Sequence, residues 1–156
     1  MRLLTVGGMK GPPADLADGY VKRAAHYWTL DVEEVAAGAR GADPSGVRTA
    51  EAERLLHRIE AREQVVALTR TGEPLSSEDL ARLLEEAALR STPRVTFVIG
   101  GAFGLGEALL DRAQQHVSLG GITLPHELAR VVMLEQLYRA GTISRGEPYH
   151  KGGTRR

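Results

Sequence analysis

Two glycine-bearing turns are the segments of this 156-residue chain best suited to holding a ligand. Gly100-Gly101-Ala102-Phe103-Gly104-Leu105-Gly106 follows the apolar run Val95 to Ile99, and Gly120-Gly121-Ile122-Thr123-Leu124-Pro125 follows His116 to Leu119. Ligands of open α/β sheets bind outside the carboxyl ends of the strands, where glycine lets main-chain N–H and C=O groups approach them closely. The spacing excludes two familiar nucleotide sites. No register of residues 100–106 places glycines as a dinucleotide fingerprint requires, and no Lys follows them as a phosphate loop requires. His126-Glu127 opens no zinc-binding helix, because Arg130 stands where the second His would be needed. By spacing alone, both turns are equally compatible with tight turns that pack helix on sheet.

The second group lies near the C-terminus. The segment LPHELARVVMLEQLYRAG is apolar nearly all round, which predicts a helix that is buried or sits in a subunit interface. Its polar residues are therefore informative. Glu135 and Arg139 stand at i, i+4 in the favourable orientation for an ion pair. An Arg on such a helix is costly unless it meets an anion, either carboxylate or phosphate. Beyond it, Tyr149-His150-Lys151 and Arg155-Arg156 bring an aromatic ring, an imidazole and three cations together. From Arg139 onward there are five basic residues and one acid, Glu147. Such an end is either a solvated tail or a contact for RNA.

These groups need a frame, and the apolar pattern predicts alternating strands and helices. Strands are expected at Leu3 to Val6, Leu30 to Val35, Val65 to Thr69, Val95 to Gly101 and His116 to Leu119. Helices are expected over Ala14 to Trp28, Thr49 to Arg62, Ser77 to about Ala88, Glu107 to Gln115 and Pro125 to Ala140. AAGARGADPSG reads as a loop by composition. The alternation predicts an α/β domain with a largely parallel sheet and helices on both faces.

Composition bounds the possibilities further. The length fits one domain. Twenty basic and 20 acidic residues cancel, which argues against an indiscriminate electrostatic nucleic-acid binder. That zero hides an asymmetry, since the C-terminal end is basic and the rest correspondingly acidic. Hydrophobic residues make up 42% and charged residues 26%, an ordinary globular balance. The absence of cysteine removes disulfides, thiolate zinc sites and cysteine nucleophiles together. MRLLTVGGMKGPP has too short an apolar run for a signal-peptide core, and no stretch approaches a membrane span, so a cytoplasmic location is expected.

The order VTFVIGGAFGLGE, VSLGGITLPHELARVVMLEQLYRA and a terminal PYHK resembles the bacterial 23S rRNA (pseudouridine-1915-N3)-methyltransferase family of the SPOUT superfamily. The similarity covers the whole chain and is strongest from Val95 onward. Two departures stand out. Ala102-Phe103 replaces the family's usual Pro-Glu, and Gly120-Gly121 replaces its usual Ser followed by a small or basic residue. Both fall in loops that would hold the cofactor mainly by main-chain groups.

The resemblance implies a single SPOUT domain over residues 1–156, with a trefoil-knotted half from about residue 65. It implies S-adenosyl-L-methionine as cofactor, held at Leu68, Gly101, Gly120, Gly121, Ile122, Thr123, Leu124 and Pro125. It implies a homodimer in which the tail of one subunit completes the site of the other. No metal is implied. Its substrate would be 23S rRNA in the large subunit or assembled ribosome, methylated at N3 of a pseudouridine in helix 69. Arg139, Tyr149 and His150 match the family's late Arg and terminal Tyr-His. In that role Arg139 would hold a phosphate or steady the imide anion, Tyr149 would pack on the base, and His150 would orient the ring or take its proton. Arg130, Lys151, Arg155 and Arg156 would contact phosphates. Two rival readings are a non-catalytic RNA- or ribosome-binding module with the same fold, and a nucleotide-binding enzyme of ordinary doubly wound topology.

Overall fold

The expected strands form one fully parallel sheet in the computed structural model, which describes residues 1–39 and 41–150. The strands β1 (Arg2–Val6), β2 (Asp31–Val35), β3 (Gln64–Pro74), β4 (Val95–Ile99) and β5 (Gln115–Ser118) lie in the order β2-β1-β4-β3-β5. Five helices connect and follow them: α1 (Pro12–Ala24), α2 (Pro44–Leu56), α3 (Ser77–Leu89), α4 (Glu107–Arg112) and α5 (His126–Ser144).

Strand pleating divides the core in two. Leu3, Val66, Phe97 and Ile99 face α1, α3 and α5, whereas Leu4, Val6, Val65 and Val98 face α2 and α4. β1 and β4 are buried along their whole length, which is why their apolar residues are not confined to alternate positions. At the amino ends of the strands, Arg2 is buried with Glu63, their charged atoms 2.5 Å apart, and Thr96 Oγ1 donates to the same carboxylate at 2.7 Å. This network belongs to the base of the sheet.

Several boundaries differ from those expected. α2 begins at Pro44, five residues early, because Asp43 accepts a hydrogen bond from Gly46 N at 2.9 Å and proline suits the first helical turn. It also ends at Leu56. α4 stops at Arg112, short of Gln115, because Gln114 already joins the sheet: its N–H donates to Val65 O, and its side-chain oxygen accepts from Val65 N. α5 continues past Ala140 to Ser144. Gly141, which looks like a helix stop, is instead a notch against which the Tyr27 ring packs. On α1, Leu16 is 53% exposed, and Ala17 faces the core.

β3 outruns its expected end by five residues. Leu68 and Glu73 both stand opposite Val117 of β5, so residues 69–72 loop out between two successive pairings with one partner. Gly72 makes this possible. A β-carbon there would stand 2.6 Å from the main chain of His116 and Val117.

Candidate active site

The carboxyl ends of β3, β4 and β5 surround a cavity of about 1030 Å³. Leu68, Thr69 and Thr71 form the wall supplied by β3, residues 99–105 supply a second, and the segment from Leu119 to Ala129 supplies the third. Of the residues expected to hold a cofactor, Leu68, Gly101, Gly120, Ile122, Thr123, Leu124 and Pro125 all line this one space. Gly121 does not line it.

The β4 wall owes its shape to a tight turn. Gly104 N donates to Gly101 O at 3.1 Å, and Gly104 has φ of 82°, a left-handed conformation that favours glycine. Ala102 and Phe103 occupy the tip, with Phe103 48% exposed. Gly101 is fixed by a different requirement. A β-carbon on it would lie 2.8 Å from Glu51 Oε2 and 3.1 Å from Val6 Cγ1.

Glu51 itself is buried on α2, at 3% exposure. Its Oε1 accepts from Gly38 N at 2.8 Å, and its Oε2 is buried without a hydrogen-bond partner. Half-buried Arg48 and exposed Arg70 and His116 also line the cavity, the last with Nε2 2.9 Å from Leu110 O. Among the described residues, neither Arg48 nor Arg70 pairs with a carboxylate. The walls thus combine apolar side chains, threonine hydroxyls and close main-chain groups with a buried carboxylate behind one loop. This mixture of apolar surface and a few convergent polar groups suits a small-molecule ligand. Among the described residues, no group of three or more His, Asp or Glu is placed to hold a metal ion.

The other expected functional residues lie elsewhere. Arg139 is thirteen residues beyond His126 along α5, roughly 20 Å at the helical rise. Neither Arg139 nor Tyr149 lines the cavity. Instead Glu135 gathers them. Its Oε1 accepts from Arg139 Nη2 at 2.5 Å, from Arg139 Nε at 3.0 Å and from Tyr149 Oη at 3.1 Å. The Arg139 guanidinium also stacks over the Tyr149 ring, 4.8 Å from its centre. The hydrogen bond to Glu135 raises the Arg139 pKa further, so its charge is permanent.

Around this pair all four tyrosines of the chain converge. Tyr138 packs edge-on to Tyr149 with ring centres 4.6 Å apart, and Tyr20 and Tyr27 flank Tyr138. Arg23 and Arg145 stack over Tyr20 and Tyr27. Burial, then the Glu135 charge, pushes the Tyr149 phenol up to about 12. A hydrogen bond to Glu147 does the same for Tyr27, also to about 12. Both phenols are therefore protonated donors at neutral pH.

The Arg130 side chain is 12% exposed and pairs with the half-exposed Glu34 at 2.5 Å, with Thr5 Oγ1 at 3.4 Å. The His150 side chain and Lys151, Arg155 and Arg156 lie outside the described residues. Sequence reasoning missed Glu51, Arg48 and Arg70. The first two sit in an Ala/Glu/Arg-rich helix where nothing in the sequence marks them off from their solvated neighbours.

A family profile described as "Predicted SPOUT methyltransferase" matches residues 1–150. The chain is 53% identical over 139 residues to the ribosomal RNA large subunit methyltransferase H of Gemmatimonas aurantiaca, covering 88% of this chain and 90% of that protein. It is 46% identical to the protein of the same name from Rubrobacter xylanophilus, over 95% of this chain and 96% of the relative. For the protein so named from Solidesulfovibrio magneticus the identity is 43%, over 96% and 97%.

Proposed function

The chain belongs to the SPOUT methyltransferase family, and on that premise we propose that it methylates ribosomal RNA of the large subunit, at N3 of a pseudouridine in helix 69 of 23S rRNA. It is a methyltransferase, and SPOUT methyltransferases generally use S-adenosylmethionine. The observation that carries the reading is the convergence of three loop walls, at the ends of β3, β4 and β5, on one cavity.

The residues present fit that cofactor. Leu68, Leu124 and Ile122 offer apolar surface to the adenine, and the main chain of Gly101 and Gly120 to Pro125 offers donors and acceptors at close range. Glu51 places an unused buried carboxylate oxygen behind the same loop. When bound, the cofactor supplies an electrophilic methyl group. Everything else falls to the protein, which must exclude water, fix the approach of the ring nitrogen and manage its proton.

For that task the site draws on two chains. Arg139 stands ten residues, about 15 Å of helix, beyond Ala129 in the cavity wall of its own chain, and Tyr149 packs on it, so a homodimer brings the partner's set to the cavity. Leu16 on α1 and Leu128 on α5 are about half exposed and supply apolar surface for such a contact. Arg139 steadies the negative charge that develops on the imide, the Tyr149 ring packs against the base, and His150 orients the ring or accepts the proton. Arg48 and Arg70 of the cavity lining meet RNA phosphates, which position without reading sequence. Residues 1–156 form a single domain whose half from about residue 65 is knotted, working in the cytoplasm beside ribosomes. Among the described residues no helix is long and apolar enough to cross a membrane.

Transfer of a tritiated methyl group tests the proposal, with ribosomes and bare rRNA taken from cells lacking the protein. Label at the N3 position of one helix-69 pseudouridine is expected. Absence of label from both substrates would refute it.

A further inference from the structure

Burying an ionised carboxylate is expensive unless a cation or a full set of hydrogen bonds compensates it. Three ionisable residues are buried among those described, and two of them, Arg2 and Glu63, neutralise one another at the base of the sheet. Glu51 is the third. It has no ion-pair partner among the described residues, one hydrogen bond to Gly38 N, and a second oxygen with none. Both carboxylate oxygens stand within 3.0 Å of where a Gly101 β-carbon would lie, and Gly101 is part of the cavity wall. The carboxylate is thus separated from the cavity by the thickness of one glycine.

We propose that Glu51 is the counter-charge of the cofactor cavity, favouring the cationic methyl donor over its neutral demethylated product. This rests on the reading of the cavity as an S-adenosylmethionine site. S-Adenosylmethionine is a net cation, and S-adenosylhomocysteine, left after transfer, is neutral overall. A fixed negative charge behind the wall acts on the sulfonium that only the first carries, so it favours the first over the second. Arg48 and Arg70 also line the cavity with the opposite sign; Arg70 is exposed and screened by water and salt, Arg48 is half-buried, and both are present equally in the wild type and in the Glu51 variants. Glu51 is a positioning residue, since Gly101 stands between it and the ligand. Its effect is to help exchange spent cofactor for fresh. The arrangement also explains why a costly unpaired carboxylate is tolerated on an otherwise apolar helix face beside Ala52 and Leu55.

Glu51→Gln tests this, because it removes the charge while keeping an oxygen to accept from Gly38 N. Glu51→Met provides a second neutral side chain of similar length. Calorimetric titrations with S-adenosylmethionine, S-adenosylhomocysteine and sinefungin, which bears an ammonium in place of the sulfonium, give the comparison. In either neutral variant the two cationic ligands are expected to bind about tenfold more weakly, the size of effect one charge exerts at short range in partly screened protein. Binding of S-adenosylhomocysteine changes less than about threefold on the same scale, and Glu51→Asp retains the wild-type preference. A uniform loss for all three ligands, or no loss for any, overturns the inference and leaves the cofactor reading intact. A wild-type protein that binds none of the three overturns both.

Discussion

Glu51 lies directly behind Gly101, its Oε2 2.8 Å from the position a β-carbon would take. One residue therefore needs its neighbour to lack a side chain, and the neighbour forms part of the cavity wall. Gly101→Val must displace the carboxylate, the Val6 side chain or the loop itself. The variant is expected to fold yet show no measurable S-adenosylmethionine binding by calorimetry. Normal binding would remove Gly101 from the cofactor site.

Arg139 has its guanidinium shared between Glu135 and the Tyr149 ring. Replacing it with Ala leaves Glu135 the donors Tyr149 and Gln136, so the helix survives. Single-turnover methyl transfer to ribosomes is expected to fall by about 100-fold, as when one charge-stabilising donor is lost from an active site. Cofactor affinity stays unchanged. A full rate in this variant would deprive Arg139 of its chemical role.

The distance between that arginine and its own cavity makes a complementation test decisive. Gly101→Val spoils a cavity and Arg139→Ala spoils the arginine. In a mixed dimer one composite site keeps both when the arginine comes from the partner. Random mixing of two inactive variants is then expected to restore about one quarter of wild-type activity, one good site in half of the dimers. Arginine supplied within one chain leaves the mixture dead.

Alkaline titration probes the tyrosine cluster. Tyr27 and Tyr149 have phenols raised from 10.0 to about 12. Because the folded pKa is the higher one, their contribution to stability is complete below pH 10 and is lost as the pH climbs from 10 towards 12. Ultraviolet difference spectra should show two phenols ionising late. Glu147→Gln should bring Tyr27 down while Tyr149 stays high, and two unshifted curves would contradict the hydrogen bonds described.

Glu63 offers a test of the base of the sheet. Removing it as Glu63→Ala leaves the Arg2 guanidinium buried with only Glu33, whose nearest oxygen is 3.3 Å away. Urea denaturation is expected to show a loss of about 3 kcal/mol, as for a broken buried pair. Methyl transfer by the protein that remains folded should be unaffected. A loss below about 1 kcal/mol would place Arg2 among screened surface charges.

The sheet was readable because both faces of its central strands are covered, so Val95 to Ile99 needs no partner in view to read as a strand. The start of α2 was hidden by its own cap: Asp43-Pro44 followed a glycine-rich stretch and looked like more loop. The far end of β3 depended on pairing with residues some 45 positions away, beyond the reach of local periodicity. In the candidate site, the glycine turns announced themselves by composition. Glu51 could not, since a buried glutamate and a solvated one are the same letter until α2 is laid on the sheet. The tyrosine cluster was likewise invisible, because Tyr20 and Tyr138 meet only when α1 packs against α5.

The double pairing of Val117 with Leu68 and Glu73 also bears on how the chain is made. Residues 69–72 close around a strand that has not been synthesised when they leave the ribosome. The 45 residues from Glu73 to Val117 take about 2–9 s to translate at the usual pace of about 5–20 residues per second. The amino-terminal part can pair β1 with β2 in that interval, but once β3 emerges its outer edge has no neighbour until β5 follows and is open to wrong partners. The cavity wall supplied by β3 thus acquires its final shape only after β5 arrives, so a nascent chain has no complete cavity until β5 and the segment after it have been made.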